Sequence, residues 1–335
     1  MKIFIAGAGR WGTALSYICS FNFEKVYLWD RNPLILENIN KERRNPVYFN
    51  FFKYPDNVIP SLDLEKCIND SDFLISAIPT QYVRGVWEEL GKFIKKPKII
   101  ISASKGLEIK KLERPSEIIR EVLKRKAKKI FTLSGPNFAE EVLKNVPSLT
   151  VLAGPEGEEI KKLQKLLTTP FFRVYISHDI KGVELGGALK NVYAIGAGIL
   201  DGLNLGFNAR AAFLTRSLVE MSRFGKKSGA RSHTFSGLSG LGDLLLTATG
   251  DLSRNRNFGI LIGKGESIEE SLKKIKTVEG FYTLKPYVKL AEKKGVYIPI
   301  AKKLYEVLYN KKDLKLAIKE LMDRPLKYED VPGFV

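Results

Sequence analysis

Ile3-Phe4-Ile5-Ala6-Gly7-Ala8-Gly9-Arg10-Trp11-Gly12 is the stretch that decides how this chain folds. Ile3 to Ala6 is a short apolar run that reads as a buried parallel strand, and Gly7, Gly9 and Gly12 take the G-x-G-x-x-G spacing that opens a helix after it. Each glycine has its own task. Gly7 permits the tight turn, Gly9 removes a Cβ so that backbone can approach a pyrophosphate, and Gly12 lets the helix lie close on the strand. Amides and the positive end of the helix dipole then hold the anion. A second strand, Lys25 to Trp29, ends at Asp30, 23 residues after Gly7, near the ~20-residue offset of a ribose-binding carboxylate. This is a dinucleotide-binding turn.

Outward from that turn, strands and helices alternate. Phe73 to Ile78, Lys98 to Ser104, Ile130 to Ser134, Leu149 to Ala153 and Phe172 to Ile176 read as strands, with helices over Val83 to Phe93, Ser116 to Lys126, Ala139 to Leu143 and around Ile160 to Leu167. The pattern predicts an α/β fold of Rossmann type, a doubly wound, mainly parallel sheet whose ligands lie beyond the carboxyl ends of the strands. Past Ser177 helical periodicity takes over. The expected organisation is a dinucleotide-binding domain over 1–178 and an all-α C-terminal domain over 179–335.

The chain has 335 residues, 44% hydrophobic and 27% charged, which is ordinary for a globular protein of two domains. Cys19 and Cys67 lack metal-like spacing and read as reduced core thiols, so no metal site is expected. The first strand starts at once, without an apolar leader, and no stretch reaches the length of a membrane span. A cytoplasmic protein is expected. The net charge of +18 is mostly spread among glutamates on helix faces, apart from the run Lys124-Arg125-Lys126-Ala127-Lys128-Lys129. A solvated surface that attracts anionic substrates is the default, and a nucleic-acid partner is not expected.

Several loops carry candidate chemistry. Lys105 follows the Ile-rich strand at its carboxyl end, where an amine is either a surface turn residue or a ligand contact. After the next strand comes Ser134-Gly135-Pro136-Asn137-Phe138-Ala139, in which Asn137 reads either as a helix cap or as a ligand contact. The run from Gly182 to Gly198 has helical periodicity but contains Gly186, Gly187, Gly196 and Gly198, each costing about 1 kcal/mol relative to alanine. Close approach of a helix or a cofactor must offset that cost. Lys190 stands within this small-residue surface, either as a buried amine of lowered pKa or as a snorkelling lysine paired with a carboxylate. Asp243 is the single acid in Gly237-Leu238-Ser239-Gly240-Leu241-Gly242-Asp243-Leu244, and Thr247 lies one helical turn on. Ser253-Arg254-Asn255-Arg256-Asn257 gathers donors suited to a phosphate.

Taken together the sequence resembles the bacterial NAD(P)-dependent glycerol-3-phosphate dehydrogenases over nearly its whole length. The resemblance is carried by Gly7 to Ala14, Ser134-Gly135-Pro136, Leu189-Lys190-Asn191-Val192, Gly240 to Leu244, Ser253 to Arg256 and Val278-Glu279-Gly280. It implies reversible hydride transfer between sn-glycerol 3-phosphate and dihydroxyacetone phosphate, feeding phospholipid synthesis, in a homodimer built through the helical domain. By the same resemblance Lys190 is the proton acceptor, and Lys105, Gly135, Asn137, Asp243, Ser253, Arg254 and Asn255 contact substrate. Arg10, Trp11, Arg31, Lys105, Ala139, Arg254, Val278 and Glu279 contact the cofactor, while Asn191 and Thr247 surround the reacting centre. Many relatives carry Ser or Thr at Asn137. Asp30 favours a free ribose 2′-hydroxyl while Arg31 accommodates a 2′-phosphate, so NAD is expected with tolerance of NADP.

Hydride exchange at a secondary carbon requires proton exchange at its oxygen. Lys190 is expected to supply that proton, Asp243 to orient it, Lys105 to steady the oxyanion, and Arg254 with Asn255 to clamp the phosphate. Two alternatives stand beside this one. A β-hydroxyacid dehydrogenase would take a carboxylate substrate, and a non-catalytic nucleic-acid binder would leave Lys190 and Asp243 without a task.

Overall fold

The computed structural model describes residues 1–326, 328 and 329. They fall into two compact units, one made of Met1–Ser104 with Pro115–Ile180, the other of Lys105–Arg114 with the chain from Lys181 onward. Lys105–Arg114, which the boundary at 178 assigns to the first domain, joins the second unit because Lys105 and Arg114 form ion pairs with Asp243 and Glu184. Leu107 is also part of the helical core there.

The first unit is an eight-stranded sheet interleaved with helices: β1 (Lys2–Ala6), α1 (Arg10–Ser20), β2 (Lys25–Trp29), α2 (Pro33–Glu42), β3 (Val58–Pro60), α3 (Leu64–Asp70), β4 (Phe73–Ser76), α4 (Thr80–Leu90), β5 (Lys98–Ser102), α5 (Pro115–Leu123), β6 (Ala127–Ser134), α6 (Ala139–Leu143), β7 (Ser148–Ala153), α7 (Glu158–Leu167) and β8 (Phe172–Ser177). The strand order is β3-β2-β1-β4-β5-β6-β7-β8. Neighbours are parallel except β6 and β7, so the sheet is mainly parallel, as the alternation predicts. Strand order reverses at β1, which lies between β2 and β4 and puts the crevice for a ligand at the Gly7 turn. Successive side chains feed two cores: Ile3, Ile5, Ile99 and Ile101 join one, and Phe4, Ala6 and Ile100 join the other. A sheet covered on both faces has to be apolar throughout, which is why its strands read as unbroken runs.

The sequence misses β3, whose three residues end in Pro60 and are too short to show a period. The helix expected over Val83 to Phe93 begins at Thr80, and Gly91–Phe93 tightens into a 3-10 turn. That expected over Ser116 to Lys126 starts at Pro115, a residue already shaped for a first helical turn, and gives way to a 3-10 turn at Lys124–Lys126.

The second unit contains α8 (Ile180–Gly202), α9 (Gly206–Lys227), α10 (Asp243–Thr249), α11 (Arg254–Gly263), α12 (Ile268–Lys274), α13 (Glu279–Lys293), α14 (Pro299–Asn310) and α15 (Leu314–Met322), with no strand among the described residues. α8 is buried on every side from Gly182 to Ile199, the condition of a helix apolar all round. Its glycines are contact points. A Cβ at Gly186 would lie 2.5 Å from the Ser239 carbonyl oxygen, and one at Gly198 would lie 2.0 Å from that of Arg256. On the facing helix, a Cβ at Gly259 would lie 2.0 Å from the Ile195 carbonyl oxygen. The offset to the glycine cost is therefore helix against helix: α8 packs backbone to backbone on the segment leading to Asp243 and on α11. Among the described residues no helix is long and apolar enough to cross a membrane.

Candidate active site

In the first unit the glycine turn has the geometry its spacing predicts. Gly7 has φ +105°, and a Cβ there would meet the Ala77 carbonyl oxygen at 2.6 Å; one on Gly12 would overlap the Gly7 carbonyl oxygen at 1.7 Å. Gly9 differs, because a Cβ there would meet nothing within 4 Å. It projects into open space at the start of α1, whose amides have no side-chain cap and no acid in the first turn. An uncapped helix start behind an absent side chain fits the pyrophosphate of a dinucleotide. Trp11 adds a buried indole N–H without a partner. Arg10 lies over the ring of Phe49 at 5.0 Å, and Arg31 over that of Tyr82 at 5.9 Å.

Asp30 is held more firmly than its sequence position discloses. One carboxylate oxygen accepts from the Ala8 amide at 2.8 Å and the other from the Asn32 amide at 2.9 Å. The acid thus ties the end of β2 to the glycine turn. At the end of β6, a Cβ on Gly135 would crowd the Thr150 Cα at 2.8 Å. Asn137 donates its amide to the Leu149 carbonyl at 2.9 Å, and its own oxygen is buried without a partner. It does not cap α6, which is preceded by Phe138 and starts at Ala139.

In the second unit Lys190, on α8, is 7% exposed. Its Nζ lies 2.6 Å from Asp243 Oδ1 and 2.5 Å from Thr247 Oγ1. The other Asp243 oxygen accepts from Lys105 Nζ at 2.6 Å. Lys190 is therefore both buried and paired, and it does not snorkel. Asp243 owes its place to a single wide π turn at Leu238–Gly242, pressed against α8 at Gly186 and against the Phe235 carbonyl at Gly240. Such turns break the regular ladder and re-aim the residue that follows. Burial drives the Lys190 amine down to about 8, with Asp243 opposing that shift and the nearby Lys105 charge assisting it.

The donors after Gly250 are arranged unequally. Ser253 is spent as the cap of α11, its hydroxyl accepting from the Arg256 amide at 3.2 Å. Arg254 is exposed, and its guanidinium reaches the Lys276 carbonyl at 3.4 Å. Asn255 is buried: it donates to Asn191 Oδ1 at 3.0 Å and accepts from the Gly280 amide at 2.9 Å. Val278 is fully buried ahead of α13, which Glu279 begins. The structure thus gathers Lys105, Lys190, Asp243 and Thr247 in one cluster, and Asn191, Asn255 and Gly280 in another. Arg10, Trp11, Asp30 and Arg31 stand at or beside the nucleotide turn.

Sequence reasoning misses two buried residues near this cluster, Tyr193 and Glu220, joined by a 3.0 Å hydrogen bond. The signals were present: Tyr193 is one turn past Lys190, and Glu220 is a lone acid within Leu218-Val219-Glu220-Met221.

Comparison with known proteins agrees with this geometry. Residues 2–159 match the family model of the NAD-dependent glycerol-3-phosphate dehydrogenase N-terminus, and residues 179–319 match that of its C-terminus. The chain is 42% identical over 330 residues to glycerol-3-phosphate dehydrogenase (NAD(P)+) of Carboxydothermus hydrogenoformans, covering 98% of each chain. It is 42% identical over 332 residues to the protein of that name from Citrifermentans bemidjiense, covering 98% of this chain and 99% of that one. The crystal structure of glycerol-3-phosphate dehydrogenase from Coxiella burnetii superposes with a TM-score of 0.91 at 34% identity, covering 96% of this chain and 99% of that one. On these matches and on the fold beneath them, the chain belongs to the NAD-dependent glycerol-3-phosphate dehydrogenase family.

Proposed function

We propose that the protein interconverts sn-glycerol 3-phosphate and dihydroxyacetone phosphate with NAD or NADP, and that Lys190 is the group exchanging the proton. The observation that carries the assignment is the buried amine of Lys190, held between Asp243 and Thr247 and brought down to about 8. An ordinary lysine holds its proton too tightly to return it near neutrality, and a group of pKa close to the working pH exchanges it best.

A nicotinamide cofactor, when held at the glycine turn, would supply or take the hydride. The chain's own residues do the rest. Lys190 gives its proton to the carbonyl oxygen in reduction and recovers it in oxidation. Asp243, bonded to Lys190 and Lys105 at once, fixes both amines, and Lys105 lends positive charge to the oxygen as it becomes an alkoxide. Thr247 completes the alignment of the Lys190 amine. Arg254 holds the phosphate, whose binding energy is spent on placing the reacting carbon. Asn255 supports that clamp and ties it to Asn191. The uncapped start of α1 at Gly9 receives the pyrophosphate, with Arg10, Trp11 and Arg31 beside it and Asp30 bracing the turn. The Asp30 charge tilts the preference toward NAD.

The functional boundary is placed near residue 178, the protein acts in the cytoplasm as a homodimer, and glycerol 3-phosphate for phospholipid synthesis is the product drawn off. The assay is the loss of reduced-nicotinamide absorbance with dihydroxyacetone phosphate, with NADH and NADPH in separate cuvettes. Oxidation of either cofactor supports the assignment. No turnover with either, alongside turnover of hydroxyacids or their keto forms, would replace it with the carboxylate alternative.

A further inference from the structure

Tyr193 and Glu220 have no part in the chemistry above, yet both are buried and bonded. Glu220, on α9, is 3% exposed. One of its oxygens accepts from the Ile300 amide at 2.7 Å; the other accepts from the Ala301 amide at 3.1 Å and from the Tyr193 hydroxyl at 3.0 Å. Tyr193, on α8, in turn accepts from the Tyr287 hydroxyl of α13 at 2.8 Å. Ile300 and Ala301 lie in the first turn of α14, where amides have no partner within the helix and the dipole favours a negative charge. The carboxylate and the Tyr193 hydroxyl together therefore join four helices.

The need for such a junction follows from the glycines of α8. A helix locked by side-chain ridges in grooves has its rotation and axial setting fixed by interdigitation. Where α8 meets its neighbours through Gly186, Gly198 and Gly202, the contacts are backbone to backbone and have no ridge. Close approach sets the distance between the axes there, the Phe213 ring of α9 seats against Gly196, and a directional bond between α9 and α8 adds to what fixes the register. Fixing register is the best attested use of a buried hydrogen-bonded polar group.

We propose that Glu220 is a positioning residue for Lys190: through the Tyr193 hydroxyl it sets the rotation and axial position of α8, and so the point from which the Lys190 amine reaches Asp243 and Thr247. Tyr193 lies three residues past Lys190, within one helical turn. The groups facing the carboxylate are the two α14 amides, Tyr193 and, through it, Tyr287, with the Arg223 charge one turn along α9. Burial pushes the Glu220 carboxyl up to about 7, against the pull of those donors.

The inference rests on the role given to Lys190, and Tyr193→Phe in the full-length enzyme separates the two. That change leaves Glu220 its two α14 amides, cuts its tie to α8 and takes the Tyr193 partner from the Tyr287 hydroxyl. The expected result is a kcat for dihydroxyacetone phosphate reduction lower by about ten- to a hundredfold, with KM nearly unchanged and the pH of half-maximal rate displaced. A Tyr193→Phe enzyme with wild-type kcat and pH profile, whatever its melting temperature, overturns the positioning role. If Tyr193→Phe does not fold, Glu220→Gln decides the matter on the same two readouts. A wild-type enzyme inert toward dihydroxyacetone phosphate would instead sink the reaction itself.

Discussion

Replacing Asp243 with Asn tests the electrostatics of the cluster directly. Asp243 is 1% exposed and receives both Lys190 and Lys105 at 2.6 Å. Asparagine keeps the shape, removes the charge, and turns one acceptor into a donor aimed at an amine. Breaking a buried ion pair from one side costs about 3–5 kcal/mol, because the remaining charge stays buried. Two buried amines lose their shared counter-charge here, so the unfolding free energy measured in urea should fall by an amount of that order. The sign of the kinetic change follows from what holds the Lys190 amine at about 8: burial and the Lys105 and Arg254 charges push it down, and Asp243 pushes it up. With the carboxylate gone burial and the Lys105 and Arg254 charges act unopposed, and the amine loses its proton at lower pH. If Lys190 is the proton donor, as proposed, ketone reduction needs the protonated amine, so its rate falls as pH rises through that value. In the variant the fall should therefore begin at lower pH than in the wild type. The assay is initial NADH oxidation against pH at saturating dihydroxyacetone phosphate, with urea unfolding in parallel. A limb that stays in place or moves to higher pH would refute the assigned balance of burial and charge.

Other outcomes follow from the same geometry. Lys190→Met should lower kcat by about 10²- to 10⁴-fold, the usual contribution of a positioned proton donor, while a fluorescence titration shows NADH affinity unaltered. Arg254→Ala should raise KM for dihydroxyacetone phosphate about ten- to a hundredfold, the loss of one charged hydrogen bond at ~1.5–3 kcal/mol; an unchanged KM would remove Arg254 from the phosphate site. Gly198→Ala places a Cβ 2.0 Å from the Arg256 carbonyl oxygen, and overpacking of about 1–3 kcal/mol should exceed the ~1 kcal/mol of helix propensity regained. Urea unfolding should therefore show the variant less stable.

Much of the fold was legible because its signals are local. The glycines of the first turn act on residues within the turn itself, and buried parallel strands announce themselves as apolar runs such as Ile99-Ile100-Ile101. β3 was lost because three residues show no period. The glycines of α8 flagged a close approach without saying to what.

The sequence by itself determined the nucleotide turn and the alternating architecture, since both depend on residues adjacent along the chain, and it marked Lys190 as a lysine set among small apolar residues. Only the tertiary structure decided what surrounds that amine. Lys105 and Asp243 stand 138 residues apart in sequence yet touch, Asp30 spends its carboxylate on two backbone amides, and Glu220 reaches α8 through Tyr193. Burial and neighbouring charge set how readily Lys190 gives up its proton, and neither exists until distant segments have packed around it.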